Sequence, residues 1–132
     1  MSVQKHKQAA QQLLARRVTG TKVYGLPEEI KPNTIEDAFA IHQEMIKLRE
    51  DKVTAWKCLL PIAGDKIIIA PIFSNTVQSG EQCLLMKDDA VAKVEPEIVF
   101  VLNADLPANE AGYTEAQINN ANAFLQMDLS NL

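Results

Sequence analysis

With 132 residues, 47% of them hydrophobic and 23% charged, the chain has the make-up of one ordinary globular domain, long enough to bury a core. Its net charge of -4, with Arg16 and Arg17 an isolated basic pair, excludes a phosphate-tracking surface and so nucleic acid as a partner. No segment approaches the length of a membrane-spanning helix, the start Met1–Lys7 has no apolar signal core, and Cys58 and Cys83 lack a Cys-x-x-Cys spacing. The expectation is a cytoplasmic chain, apart from membranes, with reduced structural thiols. An acidic balance still admits a small anionic substrate, because a metal ion can set the local charge.

Two helices open the chain. Val3 to about Val18 consists of helix formers with Ala9, Leu13, Leu14 and Ala15 near one side, and Gly20 stops it. Gly25 and Pro27 mark the loop that follows. Thr34 is the predicted cap of the second helix, with Glu36 and Asp37 in its first turn. Its apolar stripe is Ile35, Ala38, Phe39, Ile41, Met45 and Ile46, and its predicted end lies near Asp51.

From Val53 the period changes to short β-branched runs. Val53–Leu60, Lys66–Ala70, Gln82–Met86 and Lys93–Leu102 read as strands, punctuated by Pro61, Gly64, Pro71 and Gly80. A third helix begins after Thr114 and runs to about Leu125. Helices followed by strands predict an α+β fold, with a helical N-terminal region over 1–52 and a strand-rich part over 53–132.

Chemistry concentrates in Val94-Glu95-Pro96-Glu97-Ile98-Val99-Phe100-Val101-Leu102. On a strand Glu95 and Glu97 share a face with Val99 and Val101, while Val94, Pro96, Ile98, Phe100 and Leu102 lie opposite. The strand reads as buried on both sides. Two buried carboxylates repel unless an ion lies between them, and oxygen ligands select Mg²⁺ or Mn²⁺. The other reading is a solvent-exposed strand end, which Pro96 supports.

Lys57 shares a predicted strand face with Val53, Ala55 and Leu59. It is either a snorkelling lysine or one that stabilises or protonates an anionic intermediate. His42 falls in the stripe of the second helix as a packed, hydrogen-bonded histidine, and His6 lies in a stretch expected to be exposed, with no role. There is no phosphate loop, nucleophile elbow or Ser/His/Asp set.

Several segments together resemble the 2-keto-4-pentenoate hydratase branch of the fumarylacetoacetate hydrolase superfamily. Ala38-Phe39-Ala40-Ile41-His42 is similar to that family's Ala-Tyr-x-Ile-Gln, with His42 in place of glutamine. Ala55-Trp56-Lys57-Cys58-Leu59-Leu60-Pro61 resembles its Gly-Trp-Lys segment, Ala70-Pro71-Ile72-Phe73 a following turn, and Val94–Leu102 with Asp105-Leu106-Pro107 its metal-binding strand. The resemblance, from about Leu13 to Gln126, implies a helical N-terminal layer followed by a mixed β-roll. It implies a divalent metal on three carboxylates, and hydration of 2-keto or 2-hydroxydienoic acids from aromatic catabolism.

On that resemblance Glu95 and Glu97 correspond to the first two metal ligands and Lys57 to the active-site lysine. The third ligand position, a glutamate in the family, is Gln126 here, and the following Asp-Ser-Arg is replaced by Asp128-Leu129-Ser130-Asn131. Because family chains continue through a further β segment, the resemblance implies a truncated or excised copy with sheet edges open to a homo-oligomer. Decarboxylases of vinylogous keto acids and acylpyruvate hydrolases share these motifs. A non-catalytic remnant that binds metal weakly, or acts by association, is the alternative from another class.

Overall fold

The computed structural model describes residues 1–19, 25–59, 67–84 and 94–131. Gly20, Leu60, Pro61, Gly64, Lys66, Leu85, Met86 and Lys93, which figured in the predicted elements, lie outside the described residues. The architecture is α+β at the coarse level, with α1 (Val3–Thr19), α2 (Ile35–Leu48), β1 (Val53–Leu59), β2 (Ile68–Phe73), β3 (Val94–Leu102), α3 (Glu115–Ala121) and β4 (Asn122–Asn131). Both strand pairs, β1 with β2 and β3 with β4, are antiparallel two-stranded ribbons. Among the described residues, no helix is long and apolar enough to cross a membrane.

The chain forms two compact units, Met1–Leu84 and Leu85–Leu132. In the first, Ala9, Ala10, Ile30, Ile41, Met45 and Phe73 form the buried core, with Leu13, Leu14, Leu26, Ile46 and Val53 packed against it. The α1 stripe is rotated from the expected one: Ala10 is buried and Ala15 is exposed. Small residues at Ala9 and Ala10 let another part of the core approach the helix backbone closely. Because Phe73 joins the helical core, the β1–β2 ribbon belongs to the same unit as the helices, and the units divide at 84/85 rather than at the helix-to-strand change at 52/53.

The α2 N-terminus is made as the sequence implies. Thr34 is extended (φ -131°, ψ 163°), and its Oγ1 accepts the Asp37 N–H at 3.1 Å, satisfying one orphan donor of the first turn. The helix stops at Leu48, short of Asp51, because Arg49 turns to extended backbone and the chain there serves a different contact. Arg49 Nη2 donates to Asp51 Oδ2 at 2.6 Å with Nε on the other oxygen, and Asp51 Oδ2 also accepts the Asn75 N–H at 3.0 Å. The Arg49 guanidinium lies 4.3 Å from the centre of the Phe73 ring. This clamp joins the exit of α2 to the end of β2.

β2 extends past Pro71, which sits within the strand opposite Trp56 instead of ending it. One edge of a two-stranded ribbon has no ladder to serve, so a residue lacking an N–H is tolerated there. Gln82–Leu84, expected as part of a strand, has no regular structure. Both Leu84 backbone groups are taken by the Gln78 side chain, Oε1 accepting at 2.8 Å and Nε2 donating at 3.0 Å, so they enter no strand ladder.

In the second unit α3 starts as predicted. Thr114 Oγ1 accepts the Gln117 N–H at 3.3 Å, and Gln117 Oε1 accepts the Thr114 N–H at 2.8 Å, a reciprocal capping box. The helix ends at Ala121, not near Leu125. Asn119, Asn120 and Asn122 are poor helix formers, and the next residues pair with β3 along its whole length. Long-range pairing overrides the local helical pattern.

Candidate functional site

The two glutamates lie where the alternation puts them. Along β3, Glu95, Glu97, Val99 and Val101 are half-buried, and Val94, Pro96, Ile98, Phe100 and Leu102 are exposed. The expectation of a strand buried on both sides is therefore corrected: Ile98 is 64% and Phe100 65% exposed. A two-stranded ribbon satisfies backbone groups along one edge but leaves its faces to be covered from elsewhere. The carboxylate side is the more covered of the two.

The register fixes what stands across from them. Glu95 faces Ser130, Glu97 faces Asp128, and Val99 faces Gln126. Directly opposed residues of an antiparallel pair occupy the same face, so the Gln126 position is on the face of Glu95 and Glu97, diagonal to Glu97. Asp128, to which the sequence reading gave no role, holds the position directly opposite Glu97. Strand register, which one sequence does not disclose, is the signal that brings it in. The side chains of β4 lie outside the described residues.

Lys57 lies on β1, half-buried, in register with Ala70. Ala55, in register with Ile72, and Leu59, in register with Ile68, share its face, as expected. Val53 departs from that expectation. A bulge between Val53 and Ala55 puts Val53 in register with Phe73, and it packs on the helical core. Lys57 belongs to the first compact unit, and Glu95 and Glu97 to the second.

Donor chemistry at the Glu95/Glu97 pair fits a hard divalent ion: oxygen ligands only, two residues apart on one strand face, partly withdrawn from water. Among the described residues, no group of three or more His, Cys, Asp or Glu is placed to hold a metal. The described part of the site is thus a pair of carboxylates.

Other polar clusters in the first unit are structural. His6, expected to be exposed, has a side chain only 13% exposed, and its Nε2 lies 2.8 Å from Asp37 Oδ1. The Met1 amino group lies 3.0 Å from the same oxygen. The His6 contact first, and the amino group second, hold the Asp37 carboxyl below the usual carboxylate range. An open groove of about 550 Å³ beside α1, lined by Gln8, Gln11, Gln12, Pro27, Glu29 and Ile30 among others, contains none of the expected site residues.

No known protein family matches the chain, and no curated protein or solved structure matches it either.

Proposed function

We propose that the chain carries the divalent-metal site of a hydratase of 2-keto-4-pentenoate type, with Glu95 and Glu97 as ligands and Gln126 at the third position. The observation that carries this reading is the shared, half-buried face of Glu95 and Glu97, onto which the β3–β4 register also brings the Gln126 position. Held by Glu95 and Glu97, Mg²⁺ or Mn²⁺ would supply Lewis-acid polarisation of the substrate. The glutamates would hold the ion, and the resemblance gives Lys57 the role of holding a proton at Nζ for an anionic intermediate. The substrate class is a small 2-keto or 2-hydroxydienoic acid. Decarboxylation of vinylogous keto acids and acylpyruvate hydrolysis are close variants of the same site chemistry.

A second reading is favoured by Gln126 itself. An amide oxygen brings no charge, and hard cations depend strongly on ligand charge. On this reading the chain binds metal weakly and does not turn over substrate. Mn²⁺ binding and hydration of 2-hydroxypenta-2,4-dienoate, measured on the chain and on Gln126→Glu, separate the two. The hydratase reading expects Mn²⁺ binding that Glu95→Gln and Glu97→Gln each weaken, and turnover that rises in Gln126→Glu. Binding without turnover in either form leaves the second reading. Failure of both forms to bind Mn²⁺ overturns the metal site altogether.

A further inference from the structure

The junction between α2 and β2 contains a histidine with one nitrogen in an unusual position. His42 is half-buried on α2, beside the buried residues Ile41 and Met45. The backbone of Ile69 in β2 lies near enough to the ring to favour its charged form, while Nδ1 is buried with no hydrogen-bond partner among the described residues. In the neutral imidazole the unpartnered nitrogen can be the one without a proton, so the cost is that of a single neutral acceptor left without a donor. In the protonated ring both nitrogens carry N–H donors, and among the described residues the one at Nδ1 meets no acceptor, at the cost of a charged donor. Burying a donor without an acceptor, on a charged group, is among the costlier things a fold can do.

We propose that His42 is an acid-sensitive latch, whose protonation loosens the β1–β2 ribbon from the helical layer of the first unit. The surrounding charges act in the same direction. From α1, the charge of Arg17 disfavours a second cation at the ring. β2, with the sequence Ile-Ile-Ala-Pro-Ile-Phe, contributes no titratable side chain to compensate. The charged neighbours on α2 are engaged elsewhere: Asp37 with His6 and the Met1 amino group, and Glu44 with Lys47. Burial is the first cause, and Arg17 the second, that lower the His42 pKa from 6.5, and the nearby Ile69 backbone offsets only part of this. A histidine with a depressed folded value stabilises the fold above its unfolded value. That contribution is lost as pH falls below 6.5 toward the folded value.

The chain contains two histidines, so the ring resonances of His42 are assigned by comparison with His6→Gln. The latch expects the His42 resonance to titrate below 6.5 and urea midpoints to fall between about pH 7 and about pH 5. His42→Gln, which cannot gain a proton, should show a smaller fall over that interval than the unaltered chain. Amide exchange of β2 should quicken in acid in the unaltered chain and not in the variant. A His42 resonance titrating at or above 6.5 overturns the proposal, whether or not the variant folds. An acid fall of equal size in His42→Gln overturns it too.

Discussion

Replacing Phe73 with alanine removes the one large side chain that has no exposure at all among the described residues. The ring closes the helical core from the ribbon side, against a group that includes Ala9, Ala10, Ile41 and Met45. Truncations of this kind cost roughly 3–5 kcal/mol, depending on how far the neighbours collapse into the space. Ala9 and Ala10 have nothing to extend, whereas the unbranched Met45 can fill part of the gap, which places the expected loss near the middle, about 4 kcal/mol. For a domain of this size that lowers Tm by on the order of 20 °C. Urea unfolding followed by fluorescence of Trp56, the single tryptophan and 46% exposed on β1, reads the change in midpoint. Leu84→Ala is the control, because Leu84 lies in the same unit but is 86% exposed, and should stay within about 0.5 kcal/mol of the unaltered chain. If the two substitutions cost the same, Phe73 does not close the core and the account of the first unit is wrong.

Other positions give sharper local tests. Thr34→Ala, by removing the acceptor for the Asp37 N–H, should cost about 1 kcal/mol, and Thr34→Ser should restore most of it. Asp51, held at about 2 chiefly by the Arg49 guanidinium, has a folded pKa below its ordinary 3.8. Its stabilising contribution is therefore complete above the ordinary value and lost as pH falls from 3.8 through about 2, and a stability-against-pH curve of Asp51→Asn should lack that step. Gly112, at φ 71°, closes a turn in which its N–H donates to the Asn109 carbonyl at 2.9 Å, so Gly112→Ala should lose roughly 1–2 kcal/mol in thermal unfolding. Because none of the described residues lies within 4 Å of the position a Cβ would take, the loss measures backbone strain and not a clash.

What could be read from the residues alone depended on whether the deciding interaction was local. The starts of α2 and α3 rest on Thr34 with Asp37 and on Thr114 with Gln117, three residues apart in each case, and both were legible. The ends were not. α2 stops early where Arg49 and Asp51 engage Asn75, and α3 stops early where its continuation pairs with β3. The same limit applied to faces. Alternation along β3 correctly grouped Glu95 with Glu97, but it could not say that the opposite, more apolar face would be the exposed one. On β1 a single bulge moved Val53 away from the group around Lys57, a change that leaves no mark in the residue types themselves.

The partial burial of the glutamates also changes what should govern metal affinity. Two fully buried carboxylates would repel strongly, and a cation would be held largely because it relieved that repulsion. Glu95 and Glu97 are half-buried, so solvent already screens part of their mutual repulsion and there is less to relieve. Affinity then depends on the number and charge of the donors gathered on that face. The register supplies two further positions there: that of Gln126, a residue without charge, and that of Asp128, directly across from Glu97. Converting Gln126 to Glu adds a charge without altering the strand pairing, since the backbone ladder does not depend on the side chain. Its effect on Mn²⁺ binding therefore isolates donor charge from fold. A large gain means the β3–β4 face is a cation site short of one ligand charge, whereas no Mn²⁺ binding by either form means the half-buried glutamates serve only to make one side of the ribbon polar.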